Sequence, residues 1–233
     1  MEYKSFESPF PHIEIEDLIS EEENNILYNK SLEYLNGYED SLNDLSYFVL
    51  EDDKHLIESK GIEWVRENGY IQNNTDLRFD DTEVYSILQK IKNRLGLIHY
   101  KNLNLFPDEG KIKEWHVDLT ISNEYSVLHP HTDYIYDIGN DMKISKEEVE
   151  KLPIPLYKGL LYIGDSNIEY EDYGTKFYEK IIKGESFRYS ELKEVKFIPR
   201  NAHFFKTEPN SYHGTDFKSG FPHKRIFVAI SYS

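Results

Sequence analysis

Trp115-His116-Val117-Asp118-Leu119-Thr120-Ile121 alternates apolar and polar side chains without a break. Successive side chains of an extended chain point to opposite faces, so this is the pattern of a strand with one face in a core. Outward from it, short alternating segments return at 99–106, 125–129, 159–163, 174–178, 194–198, 202–206 and 224–232, with turn residues between them. Strands at that spacing predict an antiparallel sandwich or barrel, such as a jelly roll, over residues 99–233. One stretch, 134–156, interrupts the series. It carries Asp137, Gly139, Asn140 and Asp141 and then a piece of helical type from Ser145 to Leu152. It reads as a lid-like insertion over one end of the barrel.

The first 98 residues mix helical and extended signals. Pro9-Phe10-Pro11-His12-Ile13-Glu14-Ile15-Glu16 alternates after its prolines and predicts a strand. Ser20-Glu21-Glu22-Glu23 has the spacing of a capping box. It should open a helix that turns Ile26, Leu27, Leu32 and Leu35 inward, with Gly37 as its stop. From Asp81, the residues Val84, Ile87, Leu88, Ile91 and Leu95 recur at helical period, and Gly96 is the expected C-terminal cap. Residues 38–80 show only short apolar clusters among Asp and Asn turns. The expected whole is α+β and mainly β, a single domain over 1–233. Residues 1–98 would form helical and strand support packed on the sheet, and 99–233 the core.

The chain has 43 acidic side chains against 27 basic ones, a formal charge of −16. Nucleic-acid partners need a basic face, so this balance argues against one. Cysteine is absent, which excludes disulfides, cysteine-held zinc, iron–sulfur clusters and thiol nucleophiles. Any metal must then be held by imidazole, carboxylate or water. No apolar run approaches the roughly 18 residues of a membrane-spanning helix. Met1-Glu2-Tyr3-Lys4-Ser5-Phe6-Glu7 has neither the basic start nor the apolar stretch of a secretory signal. The expectation is a soluble protein of a reducing cytoplasm, with no membrane partner. Neither a Gly-x-Ser-x-Gly elbow, a phosphate-cradling loop nor a Gly-x-Gly-x-x-Gly turn occurs.

Three features of the strand-rich half bear on chemistry. His131 and Asp133 close Val127-Leu128-His129-Pro130-His131-Thr132-Asp133, His213 lies in Asn210-Ser211-Tyr212-His213-Gly214-Thr215, and Arg225 heads Arg225-Ile226-Phe227-Val228-Ala229-Ile230. Residues i and i+2 of an extended segment share a face, so His131 and Asp133 can reach one ion. A distant histidine on a neighbouring strand can complete three ligands. Two imidazoles and one carboxylate, with the other positions open, form the donor set of non-haem Fe(II) oxygenases. A His-x-Asp triplet alone is weak evidence in a chain with 9 histidines, because such triplets arise by chance on solvated surfaces. His116-Val117-Asp118 offers the same spacing. Arg225 alone could be a strand-end surface residue, but the apolar run behind it favours a buried, paired guanidinium.

An ordered series of these segments resembles the 2-oxoglutarate/Fe(II)-dependent dioxygenases, in particular their prolyl-hydroxylase-like branch with its phage and bacterial members. Pro9-Phe10-Pro11-His12-Ile13 before a helix is similar to that family's opening, and Tyr125 to Asp133 to its metal-binding strand and turn. Leu156 to Gly164 resembles its next core strand, and Tyr173-Gly174-Thr175-Lys176-Phe177-Tyr178 its glycine-marked strand. Phe204 to Thr215 resembles the approach to the distal histidine, with Arg225 following His213 by 12 residues. The likeness covers most of 99–233 well and the N-terminal half loosely.

The resemblance implies a double-stranded β-helix (jelly roll) core and an Fe(II) ion held by His131, Asp133 and His213. It implies a salt bridge from Arg225 to the distal carboxylate of 2-oxoglutarate, assisted by the hydroxyl of Tyr125 or, next in order, Tyr162. The activity implied is hydroxylation of an amino acid, a peptide side chain or a small metabolite with dioxygen, releasing succinate and CO2. The order of the segments downstream of His131 favours this triplet over His116 and Asp118, which would line the pocket mouth or face water. The rival from another class is a non-catalytic, cupin-like metal-binding jelly roll, which needs no carboxylate clamp. A nucleobase-modifying member of the family would need a local basic groove. His129, restricted by Pro130, helps aim the turn, and His203 is expected to be structural. His12, His55, His99 and His223 form no constellation. The substrate's identity and the oligomeric state are not written in the sequence.

Overall fold

The structure, a computed structural model, describes residues 2–38, 45–48, 81–101, 115–122, 128–133, 157–184, 186–215 and 225–232. In chain order the elements are β1 (Glu2–Phe6), β2 (His12–Glu16), α1 (Glu21–Tyr38), β3 (Leu45–Phe48), α2 (Thr82–Lys101) and β4 (Trp115–Ser122). Then come β5 (Leu128–His131), β6 (Tyr157–Ile163), β7 (Tyr170–Lys183), β8 (Ser186–Phe197), β9 (Ala202–Lys206), β10 (Tyr212–Thr215) and β11 (Arg225–Tyr232). They build two antiparallel sheets. A seven-stranded sheet has the order β1-β2-β9-β6-β11-β4-β3, and a four-stranded sheet the order β5-β10-β7-β8.

The period-two pattern of the central strands is used on both faces. In β11, Ile226, Val228 and Ile230 join Val117 and Leu119 of β4 in a core shared with Leu27 of α1 and Val84, Ile87, Leu88, Ile91 and Leu95 of α2. The alternate residues Phe227 and Ala229 turn toward the small sheet, where Phe10, Tyr162, Tyr173, Phe177, Val195, Phe197 and Phe205 pack. The large sheet is therefore covered by two helices on one side and by the small sheet on the other. Gly159 of β6 allows this sheet to close, since a Cβ there would collide with the His203 carbonyl and the Phe204 ring of β9.

Local chemistry explains the start of α1. The Ser20 amide donates to Glu23 Oε2 at 2.9 Å and the Glu23 amide to Ser20 Oγ at 3.2 Å, the reciprocal pair of a capping box. The same Glu23 receives both terminal guanidinium nitrogens of Arg94 from α2, at 2.7 and 2.8 Å, which fixes one helix against the other. Asn24, next in α1, pairs with the backbone of Gly164 beyond β6 through both its amide groups. The helices are thereby pinned to each other and to the sheet.

Several sequence expectations are corrected. Gly96 does not end α2. The helix runs on to Lys101, so 99–101 are helical and not extended. Ile98, three residues beyond Leu95, stays in the core, and that burial outweighs the roughly 1 kcal/mol cost of a helical glycine. Gly37 is the last residue but one of α1 and so lies beside the expected stop. The strand expected at 125–129 is β5 at Leu128–His131. β7 and β8 are much longer than expected, because the far half of their hairpin leaves the core with Ile182 and Phe187 exposed and needs no alternation. β1, β3 and β10 were not expected as strands. The insertion expected at 134–156 lies outside the described residues. Among the described residues, no helix is long and apolar enough to cross a membrane.

Candidate metal centre

β10 joins β5 to β7 in the small sheet, and His213 stands directly opposite His131 in that ladder. The register alone therefore makes neighbours of residues 82 positions apart, and their ring centroids are 4.4 Å apart. Asp133 follows His131 just beyond the end of β5, and its Oδ2 lies 3.3 Å from His213 Nε2. One donor atom from each of His131, Asp133 and His213 lies within 4.8 Å of the others. Among the described residues this is the one such group of three that could hold a metal ion.

The imidazole of His213 is aimed. Its Nδ1 is 3.0 Å from the Ser211 carbonyl, an acceptor that fixes a hydrogen on Nδ1 and turns Nε2 toward Asp133 and His131. Phe205 of β9 packs on its ring at 4.4 Å. Asp133 is mostly buried, and burial by itself would push its carboxyl up. The Lys158 ammonium, 3.2 Å from Oδ1, together with His213 and His131, overrides this and holds it well below the usual carboxylate range. The group is an anion flanked by two imidazoles.

Arg225 opens β11 from inside the sandwich, 3% exposed. Its Nε donates to the Tyr173 carbonyl at 2.9 Å, and one terminal nitrogen donates to Thr175 Oγ1 at 3.2 Å. Its guanidinium carbon lies 4.7 Å from the Phe227 ring centroid and 5.8 Å from that of Tyr162. Tyr162 meets the same threonine. Its hydroxyl donates to Thr175 Oγ1 at 2.8 Å and accepts from the Thr175 amide at 3.1 Å. Burial pushes the Tyr162 phenol up and the Arg225 guanidinium down, each partly offset by the other. A buried guanidinium held by the Tyr173 carbonyl and the Thr175 hydroxyl has a planar fork suited to a carboxylate.

Of the other histidines, His12 and His203 are described and stand in other surroundings, while His55 and His223 lie outside the described residues. His12 Nδ1 meets the Phe10 carbonyl at 2.8 Å, and its Nε2 meets Lys193 Nζ at 2.7 Å. His203 is fully buried near the Tyr162, Phe177 and Phe205 rings, and neither ring nitrogen has a partner. Burial, helped by the Arg225 charge, pulls it down to about 3, so it is neutral. Tyr125 lies outside the described residues, as do the side chains of His116, Asp118 and His129. Thr175, whose hydroxyl ties Tyr162 to Arg225, and Lys158 were not among the site residues expected from sequence. The available signal for Lys158 was a charge on the same face of its strand as Leu160 and Tyr162, where the alternation calls for apolar side chains.

No family model and no curated protein matches the chain. Solved structures similar to it include a prolyl-4-hydroxylase of Pseudomonas putida, 7% identical, covering 95% of this chain and 91% of that one, with a TM-score of 0.47. A Trichoplax adhaerens prolyl hydroxylase, in complex with a peptide fragment of the hypoxia-inducible factor degradation domain, is 10% identical over 95% and 82%, with a TM-score of 0.49. HygX of Streptomyces hygroscopicus, with nickel and 2-oxoglutarate bound, is 12% identical over 95% and 82%, with a TM-score of 0.48. At this distance the chemistry has to be taken from the side chains of this chain.

Proposed function

We propose that this chain is an Fe(II)- and 2-oxoglutarate-dependent dioxygenase that hydroxylates an amino acid, a peptide side chain or a small metabolite. The observation that carries the proposal is the convergence of His131, Asp133 and His213, with their donor atoms within 4.8 Å of one another. Two imidazoles and a carboxylate suit Fe(II), and three single-atom ligands leave the rest of an octahedron open. We further propose that β4 to β11 form a jelly roll. Its support is the order in which consecutive strands cross between the sheets, with only β7 and β8 adjacent in one sheet as a hairpin.

Bound at these ligands together with 2-oxoglutarate, the iron supplies the dioxygen chemistry that oxidises a C–H bond and releases succinate and CO2. The protein's own contributions follow from its residues. His213 presents Nε2 because the Ser211 carbonyl occupies its other nitrogen. Asp133 supplies charge that its neighbours keep ionised. Arg225 binds the distal carboxylate of the co-substrate, its planar fork matching two oxygens as a lysine ammonium does not, and Tyr162 and Thr175 hold it in place. The aromatic packing of Phe10, Phe177, Phe205 and Phe227 keeps the space between the sheets apolar, which strengthens that ion pair. A module that only binds metal needs no carboxylate clamp, and Arg225 favours the oxygenase on that ground.

The test is turnover without a prime substrate. Iron-loaded protein supplied with 2-oxoglutarate and air should release succinate slowly, and His213→Ala should release none. Folded, iron-loaded wild type that leaves 2-oxoglutarate intact under all conditions would overturn the assignment.

A further inference from the structure

The carboxylate of Asp133 divides its two oxygens between different partners. Oδ2 faces His213 Nε2 at 3.3 Å, and one carboxylate oxygen of Asp133 lies within 4.8 Å of a donor atom from each histidine. Oδ1 faces Lys158 Nζ at 3.2 Å. Lys158 belongs to β6 of the large sheet, paired with Phe205 of β9 and Ser231 of β11, whereas Asp133 follows β5 of the small sheet. The ion pair therefore reaches from one sheet to the other, and an ion entering beside Oδ2 has no need to displace the lysine.

We infer that Lys158 is a positioning residue for the metal: it occupies Oδ1 so that Asp133 offers the ion one oxygen only. This rests on the metal site proposed above and deepens it. The consequence is a count of open positions. With three single-atom protein ligands an octahedral ion keeps three positions free, but a carboxylate binding through both oxygens would leave two. A co-substrate that chelates through two atoms needs both of those, and a third must remain for dioxygen. Lys158 reserves it. Outer partners that orient a ligand in this way are each worth about 10–100-fold in metal affinity. The ammonium is more than a third exposed, with 37% of its side-chain surface accessible, so solvent screens its repulsion of the incoming cation.

The rival role is competition, in which the ammonium merely fills the space that a metal must take. The two predict opposite signs for binding of Mn(II) alone, measured by calorimetric titration of the full chain. Positioning predicts that Lys158→Met weakens Mn(II) binding by about 10–100-fold, while Lys158→Arg, which keeps a cationic donor, restores it to within a few-fold. If Lys158→Met fails to fold, Lys158→Gln replaces it, with weakening again expected. Neutral variants that bind Mn(II) as tightly as wild type, or more tightly, would overturn the inference while leaving the metal site standing. Wild type that binds no Mn(II), Fe(II) or Co(II) would overturn the site itself.

Discussion

At the scale of single residues, the proposed site depends on which atom of His213 is turned toward its neighbours. His213 has Nδ1 engaged by the Ser211 carbonyl and Nε2 turned to Asp133, so His213→Ala removes a proposed ligand and the hydrogen bond to Ser211. Loss of iron binding with an unchanged far-ultraviolet circular dichroism spectrum is expected, and retained one-to-one iron binding would contradict it. Arg225→Ala should leave iron binding intact and raise the 2-oxoglutarate concentration needed for half-saturation. Truncating one partner of a buried charged pair costs about 2 kcal/mol or more, which is roughly thirty-fold. Arg225→Lys should lose less, since the charge remains. The spacing of His131 and Asp133 was legible because alternation is a local property. The partnership with His213 was visible only through the resemblance of ordered segments. Lys158 was legible only as a charge on an otherwise apolar strand face, since nothing near it in sequence marks Asp133 as its neighbour.

At the scale of elements, local signals held where local chemistry decides and failed where packing does. The capping box at Ser20 needs only four consecutive residues, and it forms as the sequence predicts. Ser20→Ala should cost about 1 kcal/mol of stability, measured as a shift in the urea midpoint. The end of α2 could not be read from Gly96, because Ile98 is buried by contacts far away in sequence. β10 was illegible for a related reason. Its four residues, Tyr212 to Thr215, carry no apolar alternation, and they are extended because β5 and β7 lie on either side. Gly159→Ala is the corresponding test of the β6–β9 contact. Its methyl group meets β9 backbone, which can give little, so about 1–3 kcal/mol of destabilisation is expected. A neutral outcome would mean that these strands lie further apart.

At the scale of the whole molecule, the predicted α+β, mainly β, organisation is found, with both helices against the large sheet. The two sheets are also clasped at one side, where Lys193 of β8 reaches Glu14 of β2 at 2.6 Å and lies over the Phe6 ring at 3.9 Å. His12 beside it lowers the Glu14 carboxyl most, burial acts the other way, and Lys193 adds to the lowering, leaving it at about 2. A carboxyl lower in the folded chain than in the unfolded one stabilises fully above its ordinary value. That contribution is lost as pH falls from about 4.5 toward 2. After allowance for screening at this half-buried pair it amounts to about 2 kcal/mol. Urea midpoints at pH 6 and pH 3 should therefore differ less in Glu14→Gln than in wild type, and equal differences would contradict the clasp. The central claim concerns the ion and its co-substrate together, and anaerobic titration of the metal-free chain with Fe(II) and then 2-oxoglutarate tests it most directly. Visible charge-transfer absorption should grow to one equivalent, vanish in His131→Ala, and require more 2-oxoglutarate in Arg225→Ala. Folded protein that stays colourless with both components present would contradict the account.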